Sequence, residues 1–289
     1  MLVRELLLEA AARLKEAEIQ QPWFEAQLLL GWALGIDQAS LLAHDDLALS
    51  VQQAHMFFQG IEQRQQRKPL AYIVGRKSFL HWDFCVNEDV LIPRSETEIL
   101  AELAVQELSK GFPDQSILIA DIGTGSGAIG LSMLMLMPLA RLCAVDLSPS
   151  ALGVVRQNAE KFGLIERTTF LQGDLFEPLK QLRGQFAGIV ANLPYVSAGD
   201  YVNLQPEITR YEPREALVSE ADGLGHYQRL LKGAAAYLLP GGQLFIEISS
   251  AQAHKVQQLF IGGGFDSPRV ERDLAGLARI VWGTKRESA

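Results

Sequence analysis

Along this chain the spacing of apolar residues changes twice, and the changes mark off regions of different expected structure. From residue 2 to about residue 68 the leucines, alanines and aromatics recur every three or four positions, the stripe of successive amphipathic helices. Residues 2–17 and 22–34 carry it, with Pro22 suited to a first helical turn. A third helix is expected over 50–67, opened by the cap residue Ser50 and closed by a polar run before Pro69. Between Pro69 and Pro93 the period falls to two at Phe79, Phe84 and Val86, beside the turn-like Asn87-Glu88-Asp89, and a β-hairpin is expected. The pattern therefore predicts a small helical domain over 1–68, a hairpin linker over 69–94 and a larger domain over 95–289.

In the larger region a helix opens at Ser95-Glu96-Thr97-Glu98, with a cap and early acids, and runs to about Lys110. Strands are then expected at 116–121, 141–146, 168–172, 186–191 and 243–248, with a final pair at 267–272 and 279–282. Alternation of these strands with helical stretches predicts an α/β, mostly parallel sheet covered on both faces. In such sheets ligands sit beyond the carboxyl ends of the strands. Asp121, Asp146, Asp174 and Asn192 all fall at or just past such ends, which predicts one shared cleft. The long segment 197–221, with Tyr201, Pro206, Tyr211 and Pro213, is expected to be an irregular rim or lid.

Composition narrows the function classes. The 289 residues carry a formal net charge of -8, with pI ≈ 5.2, so broad attraction to nucleic acid is not expected. Acids interrupt the leucines of the first nine residues, and the apolar stretch 128–140 is too short to span a bilayer, so a soluble, cytoplasmic protein without a secretion signal is expected. Two distant cysteines, Cys85 and Cys143, suit a reducing compartment and form no metal-ligand spacing. The histidines, His44, His55, His81, His226 and His254, stand singly and read as ordinary surface or core residues.

The stretch from Ile117 to Gly130 carries the strongest chemical signal. An apolar strand ends in Asp121, and Gly123, Gly125 and Gly127 alternate before a helix begins at Ala128. Gly125 to Gly130 also satisfies the dinucleotide pattern G-x-G-x-x-G, and Asp146 follows about 20 residues on, as that fingerprint requires. An acid at Asp121 is expected to face the ligand, where it would repel a pyrophosphate and attract the ammonium or sulfonium of S-adenosylmethionine. Asp146 supports a ribose in either case. A second signal follows the strand 186–191: Asn192-Leu193-Pro194-Tyr195 sets a side-chain carbonyl, a main-chain carbonyl, a rigid turn and an aromatic face within four residues. Such a set can hold a planar amino group by its two N–H bonds, with Tyr195 stacked on its plane.

Together Asp121-Ile-Gly-Thr-Gly-Ser-Gly127 and Asn192-Leu-Pro-Tyr195 resemble the amino-methyltransferases of the Rossmann-like class. Pro69-Leu-Ala-Tyr-Ile-Val-Gly75, Val90-Leu-Ile-Pro-Arg-Ser-Glu-Thr-Glu98, Tyr211-Glu-Pro-Arg-Glu-Ala-Leu217, Asp222-Gly-Leu224 and Asp273-Leu-Ala-Gly276 extend the resemblance, specifically to the release factor glutamine methyltransferase family, over nearly the whole chain. That family methylates the glutamine of the Gly-Gly-Gln motif in class 1 peptide chain release factors, with S-adenosylmethionine as donor. The resemblance implies a class I methyltransferase domain behind a small helical domain, acting as a monomer on a protein partner. It assigns the donor to Asp121, Gly123, Thr124, Gly125, Ser126, Gly127, Asp146, Asp174, Leu175 and Asn192, and the glutamine to Asn192, Leu193, Pro194 and Tyr195. Leu175 stands where the family can carry tryptophan, and Ser95 and Leu193 stand where proline is usual. Asn-Leu-Pro-Tyr is also the form typical of ribosomal RNA adenine dimethyltransferases, so an adenine-N6 methyltransferase on RNA or DNA is the second reading. The linker motifs and the acidic balance favour the protein substrate. An intact Asn192–Tyr195 set argues against a non-catalytic binding module.

Overall fold

The structure is a computed structural model describing residues 3–43, 49–219 and 223–286; His44, Asp222 and the expected rim positions 220–221 lie outside the described residues. In chain order the elements are α1 (Val3–Glu16), α2 (Pro22–Leu34), α3 (Gln38–Ala43), α4 (Val51–Gln65), α5 (Leu70–Val74), β1 (Arg76–Phe79) and β2 (Trp82–Cys85). Next come α6 (Ser95–Gly111), β3 (Leu118–Ile122), α7 (Ala128–Leu136), β4 (Arg141–Asp146), α8 (Pro149–Lys161), β5 (Thr168–Gln172) and β6 (Phe186–Ala191). The chain ends with α9 (Ala198–Tyr201), α10 (Pro206–Tyr211), α11 (Gly225–Ala234), β7 (Leu238–Glu247), α12 (Ala253–Gly262), β8 (Phe265–Arg272) and β9 (Ala278–Lys285). Packing divides them into two units, Met1–Arg76 with Gln205–Tyr211, and Lys77–Leu204 with Glu212–Ala289.

In the first unit the apolar stripes of α1, α2 and α4 close on one another, burying Leu6, Leu14, Leu29, Leu30, Phe57 and Ile61. Gly35 stops α2 by taking a left-handed φ of 71°, and Ser50 starts α4 through a reciprocal capping box with Gln53. The hairpin is shorter than its period suggested. Residues 70–74 are helical, started after Pro69 and ended by Gly75 in the left-handed region, and the strands are confined to β1 and β2. Sequence spacing did not foresee that α10 belongs to this unit. Glu207 accepts from both Arg64 at 3.0 Å and Arg67 at 2.8 Å, and the Tyr211 hydroxyl donates to the Gln66 carbonyl at 2.9 Å.

The second unit is built on a seven-stranded sheet in the order β5-β4-β3-β6-β7-β9-β8. β3 to β7 pair in parallel, whereas β9 runs antiparallel to both β7 and β8. This is the Rossmann-like α/β architecture, distinguished from the all-parallel six-strand dinucleotide fold by the antiparallel β9. Strand order reverses on either side of β3, so its carboxyl end opens a crevice between β4 and β6. Register sets the contents of that crevice: Ile122 pairs with Val145 on one side and Ala191 on the other, so Gly123, Asp146 and Asn192 fall one step beyond on a common edge.

β6 is buried along its whole length, as a central strand covered on both faces must be. β7 begins earlier than residue 243, because a register break between Phe186 and Gly188 takes up Pro240-Gly241-Gly242 without ending the strand. Segment 197–219 is more ordered than expected, holding α9, α10 and a tight turn at Arg214–Ala216. No helix among the described residues is long and apolar enough to cross a membrane.

One buried side chain ties this scaffold to the glycine loop. Asn158 of α8 accepts from the Cys85 N–H at 2.7 Å and donates to the Cys85 carbonyl at 3.0 Å and the Ser126 carbonyl at 2.8 Å. Replacing it by leucine strands one buried and two part-buried main-chain groups, each worth roughly 1–3 kcal/mol when left unpaired. Asn158→Leu is therefore expected to lose about 3 kcal/mol or more in urea unfolding, and near-wild-type stability would refute this account.

Candidate active site

The loop after β3 is fixed by β4. Gly123 and Thr124 donate their N–H groups to the Val145 carbonyl at 2.9 and 3.0 Å, and the Gly127 N–H returns to the Thr124 carbonyl at 2.8 Å. Two of its glycines are needed for different reasons. Gly125 has φ 54° with open space where a Cβ would project, which leaves its main chain accessible to a ligand. At Gly127, φ is 80° and a Cβ would lie 2.4 Å from Val155 Cγ2, so this glycine serves the packing of α7 on α8 and does not line the cleft.

Beside the loop lies a cleft of about 430 Å³, within the range of small-ligand sites. Thr124, Gly125 and Ser126 form one wall, Asp174 and Leu175 another, and Asn192, Leu193 and Pro194 a third. Asp146 sits between them. Its Oδ2 accepts from the Gly125 N–H and its Oδ1 from the Ser148 N–H, both at 2.9 Å. Burial raises its pKa, and those main-chain bonds partly offset the rise. A carboxylate offers about four acceptor directions, so lone pairs remain for two ligand hydroxyls. Asp174 is paired with Arg229 of α11, and Leu175 beside it has φ 49°, a strained value for a residue with a side chain.

Asp121 is not where the charge argument put it. It is fully buried, does not line the cleft, and turns its Oδ2 to the Thr124 hydroxyl at 2.7 Å and the Gly130 N–H at 3.1 Å. Its neighbour Ile122 lines the cleft instead, because successive strand residues face opposite sides. Burial pushes the Asp121 carboxyl up to about 6, with its two hydrogen bonds pulling the other way. The electrostatic case against a dinucleotide therefore has no support from this side chain.

Asn192 joins the cleft to a second, small cavity of about 40 Å³ that Pro194, Tyr195, Arg94 and Glu247 also line. Tyr195 faces this cavity and not the main cleft, and burial, then the nearby Glu247, pushes its hydroxyl up to about 12. The Asn192 Nδ2 donates to Thr97 Oγ1 at 3.3 Å, and the Glu247 carboxyl lines the same small cavity as Asn192. With its NH2 directed to Thr97, Asn192 has Oδ1 as the acceptor left for the cleft. Leu193 keeps its side chain in the core, where a Cβ on Gly123 would lie 3.0 Å from Leu193 Cδ2.

Glu247 was missed by sequence reasoning, as were Arg94, Thr97 and the cleft-lining His226, whose Nδ1 is 3.1 Å from Ser219 Oγ. A signal for Glu247 was present: a lone acid in the apolar run Leu244-Phe-Ile-Glu-Ile248, near a strand's carboxyl end. Register puts it level with Asn192, since Ala191 pairs with Ile246.

Residues 5–75 match the family model described as PrmC N-terminal domain, and residues 119–211 match a methyltransferase domain. The release factor glutamine methyltransferase of Moorella thermoacetica is 41% identical over 288 residues, covering 99% of this chain and 100% of that one. Those of Geobacter sulfurreducens and Chlorobaculum tepidum are each 36% identical over 281 residues, covering 97% and 96% of this chain and 96% and 95% of theirs. The chain belongs to the release factor glutamine methyltransferase family. It is thus a methyltransferase, with the class I fold of such enzymes.

Two buried carboxyls make the stability of this family member depend on pH. The Asp121 pKa rises from 3.8 to about 6 and that of Glu247 from 4.5 to about 7. The native state then holds more protons than the unfolded chain between roughly pH 4 and 7, so their contribution is full below that window and is lost as pH rises through it. Each shift corresponds to roughly 3 kcal/mol. Thermal unfolding is expected to show Glu247→Gln gaining stability relative to wild type at pH 8 and not at pH 4; an equal effect at both would contradict the assignment.

Proposed function

We propose that this enzyme transfers the methyl group of S-adenosylmethionine to the side-chain amide nitrogen of the glutamine in the Gly-Gly-Gln motif of class 1 peptide chain release factors. The observation that carries the reading is the assigned orientation of Asn192, whose side-chain oxygen is the open acceptor at the edge where the strand ends meet. An acceptor there suits a substrate that presents N–H groups, as a primary amide does.

The cleft fits the donor. Gly125 allows close main-chain approach, Asp146 has lone pairs left for two ribose hydroxyls, and the apolar Val145, Leu147 and Leu175 offer contact to a flat base. Gly123, Thr124, Ser126 and Asp174 complete the donor site, while Asp121 and Gly127 shape it from behind the loop. When bound, the donor supplies an activated methyl group on a sulfonium.

A glutamine amide is a poor nucleophile because its nitrogen lone pair is shared with the carbonyl. The Asn192 side-chain oxygen and the Leu193 main-chain oxygen take the two N–H bonds, which turns the nitrogen for in-line attack and stabilises the positive charge that develops on it as the N–C bond forms and the C–S bond breaks; one amide proton is lost after the bond has formed. Because the Leu193 side chain is packed into the core, its contribution is its main chain. Tyr195 and Pro194 bound the amide from the small cavity. Residues 1–68 dock the release factor, whose contacts away from the reacting amide position it. No stable nucleic acid binding is part of this reading, and a translation factor as substrate places the reaction in the cytoplasm.

The test is incubation with labelled donor, purified release factor and ribosomal RNA, followed by mass analysis. Label on the glutamine amide is expected, and label on adenine alone would replace this reading with the second. Asn192→Ala is expected to lower kcat on the order of 10²–10³ while donor affinity, read by calorimetry, is retained. Asp146→Ala should instead weaken donor binding by roughly 1.5–3 kcal/mol, and unchanged affinity would remove it from the ribose site. Leu193→Pro should keep substantial activity on the same glutamine, and its loss in a folded protein would overturn the main-chain role.

A further inference from the structure

We propose that Glu247 is a positioning residue for methyl transfer: it accepts from the Asn192 NH2 and so holds the Asn192 oxygen toward the reacting amide. The inference rests on the function proposed above and concerns how the acceptor is kept pointing the right way. A side-chain amide is nearly symmetric in shape, and its two orientations differ only in which end donates. If Asn192 turned over, its NH2 would meet the NH2 of the substrate, and an accepting bond would become a donor facing a donor. Something behind the amide must select one orientation.

Glu247 is built to make that selection. It is 3% exposed, at the end of β7, level with Asn192 by strand register and lining the same small cavity. Among the described residues no ion pair includes it: nearby Arg279 is committed to Asp273 at 2.7 Å and Glu96 at 3.7 Å. Its Oε2 is buried without a hydrogen-bond partner, in a side chain lining the small cavity with Pro194 and Tyr195. A buried, unpaired carboxylate is an expensive way to stabilise a fold, and a packed apolar residue would do better. As an obligate acceptor behind Asn192, it has a role that an apolar residue cannot take.

The charge on Glu247 then controls the acceptor. The groups facing it are Glu96 and Thr97 of α6, Arg94 just ahead of that helix, Tyr195 after β6, Arg279 of β9 and Tyr227 of α11, whose hydroxyl donates to the Glu247 main-chain carbonyl at 3.0 Å. Burial, with Glu96 adding to it, lifts the carboxyl to about 7 against the pull of Thr97, Arg279 and Asn192. Once protonated, Glu247 can donate to the Asn192 oxygen and favour the reversed amide. Turnover therefore falls as pH drops through the neutral range.

The experiment measures kcat and KM for intact release factor at saturating S-adenosylmethionine from pH 6 to 9, with donor affinity by calorimetry, for wild type, Glu247→Ala and Glu247→Gln. Wild-type kcat is expected to decline below about pH 7. Glu247→Ala should lower kcat about tenfold or more, with KM and donor affinity little changed, the split that marks an interaction made in the transition state. Glu247→Gln keeps an accepting oxygen without a titrating proton, so it should recover most of that kcat and lose the acid limb. Wild-type kcat in Glu247→Ala, or an unaltered acid limb in Glu247→Gln, overturns the proposal. Should the alanine variant fail to fold, the glutamine pH profile decides alone. If the underlying function were wrong, wild type would leave the release factor glutamine unmethylated; if only this inference were wrong, wild type would methylate it and Asn192→Ala would still be impaired.

Discussion

Hydrogen-bond register between β3 and its parallel neighbours decides where the polar groups of the cleft land. Ile122 is level with Val145 and Ala191, so the chain leaves all three strands at the same height. Gly123, Asp146 and Asn192 are the first residues past that line, and each is polar or lacks a side chain because the covered part of the sheet has ended. A shift of one residue in either pairing would turn every side chain of that strand to the opposite face. The Val145 carbonyl, taking two loop N–H groups, and Asp146, taking the Gly125 N–H, lock the loop at this height.

The same constraint explains what could be read from sequence and what could not. Strand ends were legible because buried parallel strands are short apolar runs with polar residues after them, and β4, β5 and β6 have the expected bounds. Which face of β3 carried Asp121 was not legible, since an acid one residue before a glycine turn reads the same whether it meets the ligand or lies beneath the loop. Glu247 was hidden for a related reason: Asn192 is remote from it in sequence, and pairing of β6 with β7 is what makes the two neighbours. Tyr195 lies within the tetrapeptide that marked the site, yet the turn carries it round to a separate cavity.

A protein could hold this sheet together more cheaply than with buried acids at its functional edge. Asp121, Asp146 and Glu247 all sit where burial opposes their charge. Asp146 and Asp121 recover part of the cost by ordering the loop through main-chain N–H bonds. Local departures from an optimal core are expected where a site must be held in one arrangement.

The placement of α10 bears on how the chain acquires its structure during synthesis. Helices α1 to α5 emerge from the ribosome first, but Glu207 and Tyr211, which bond Arg64, Arg67 and Gln66, follow well over a hundred residues later. Until then two arginines of the helical unit lack that carboxylate, although Glu25 already faces Arg64. The amino-terminal unit is therefore first in sequence but not first to be finished. Its final ion pairs wait until most of the parallel strands have been made, so completion of the two units is linked in time by the order of translation.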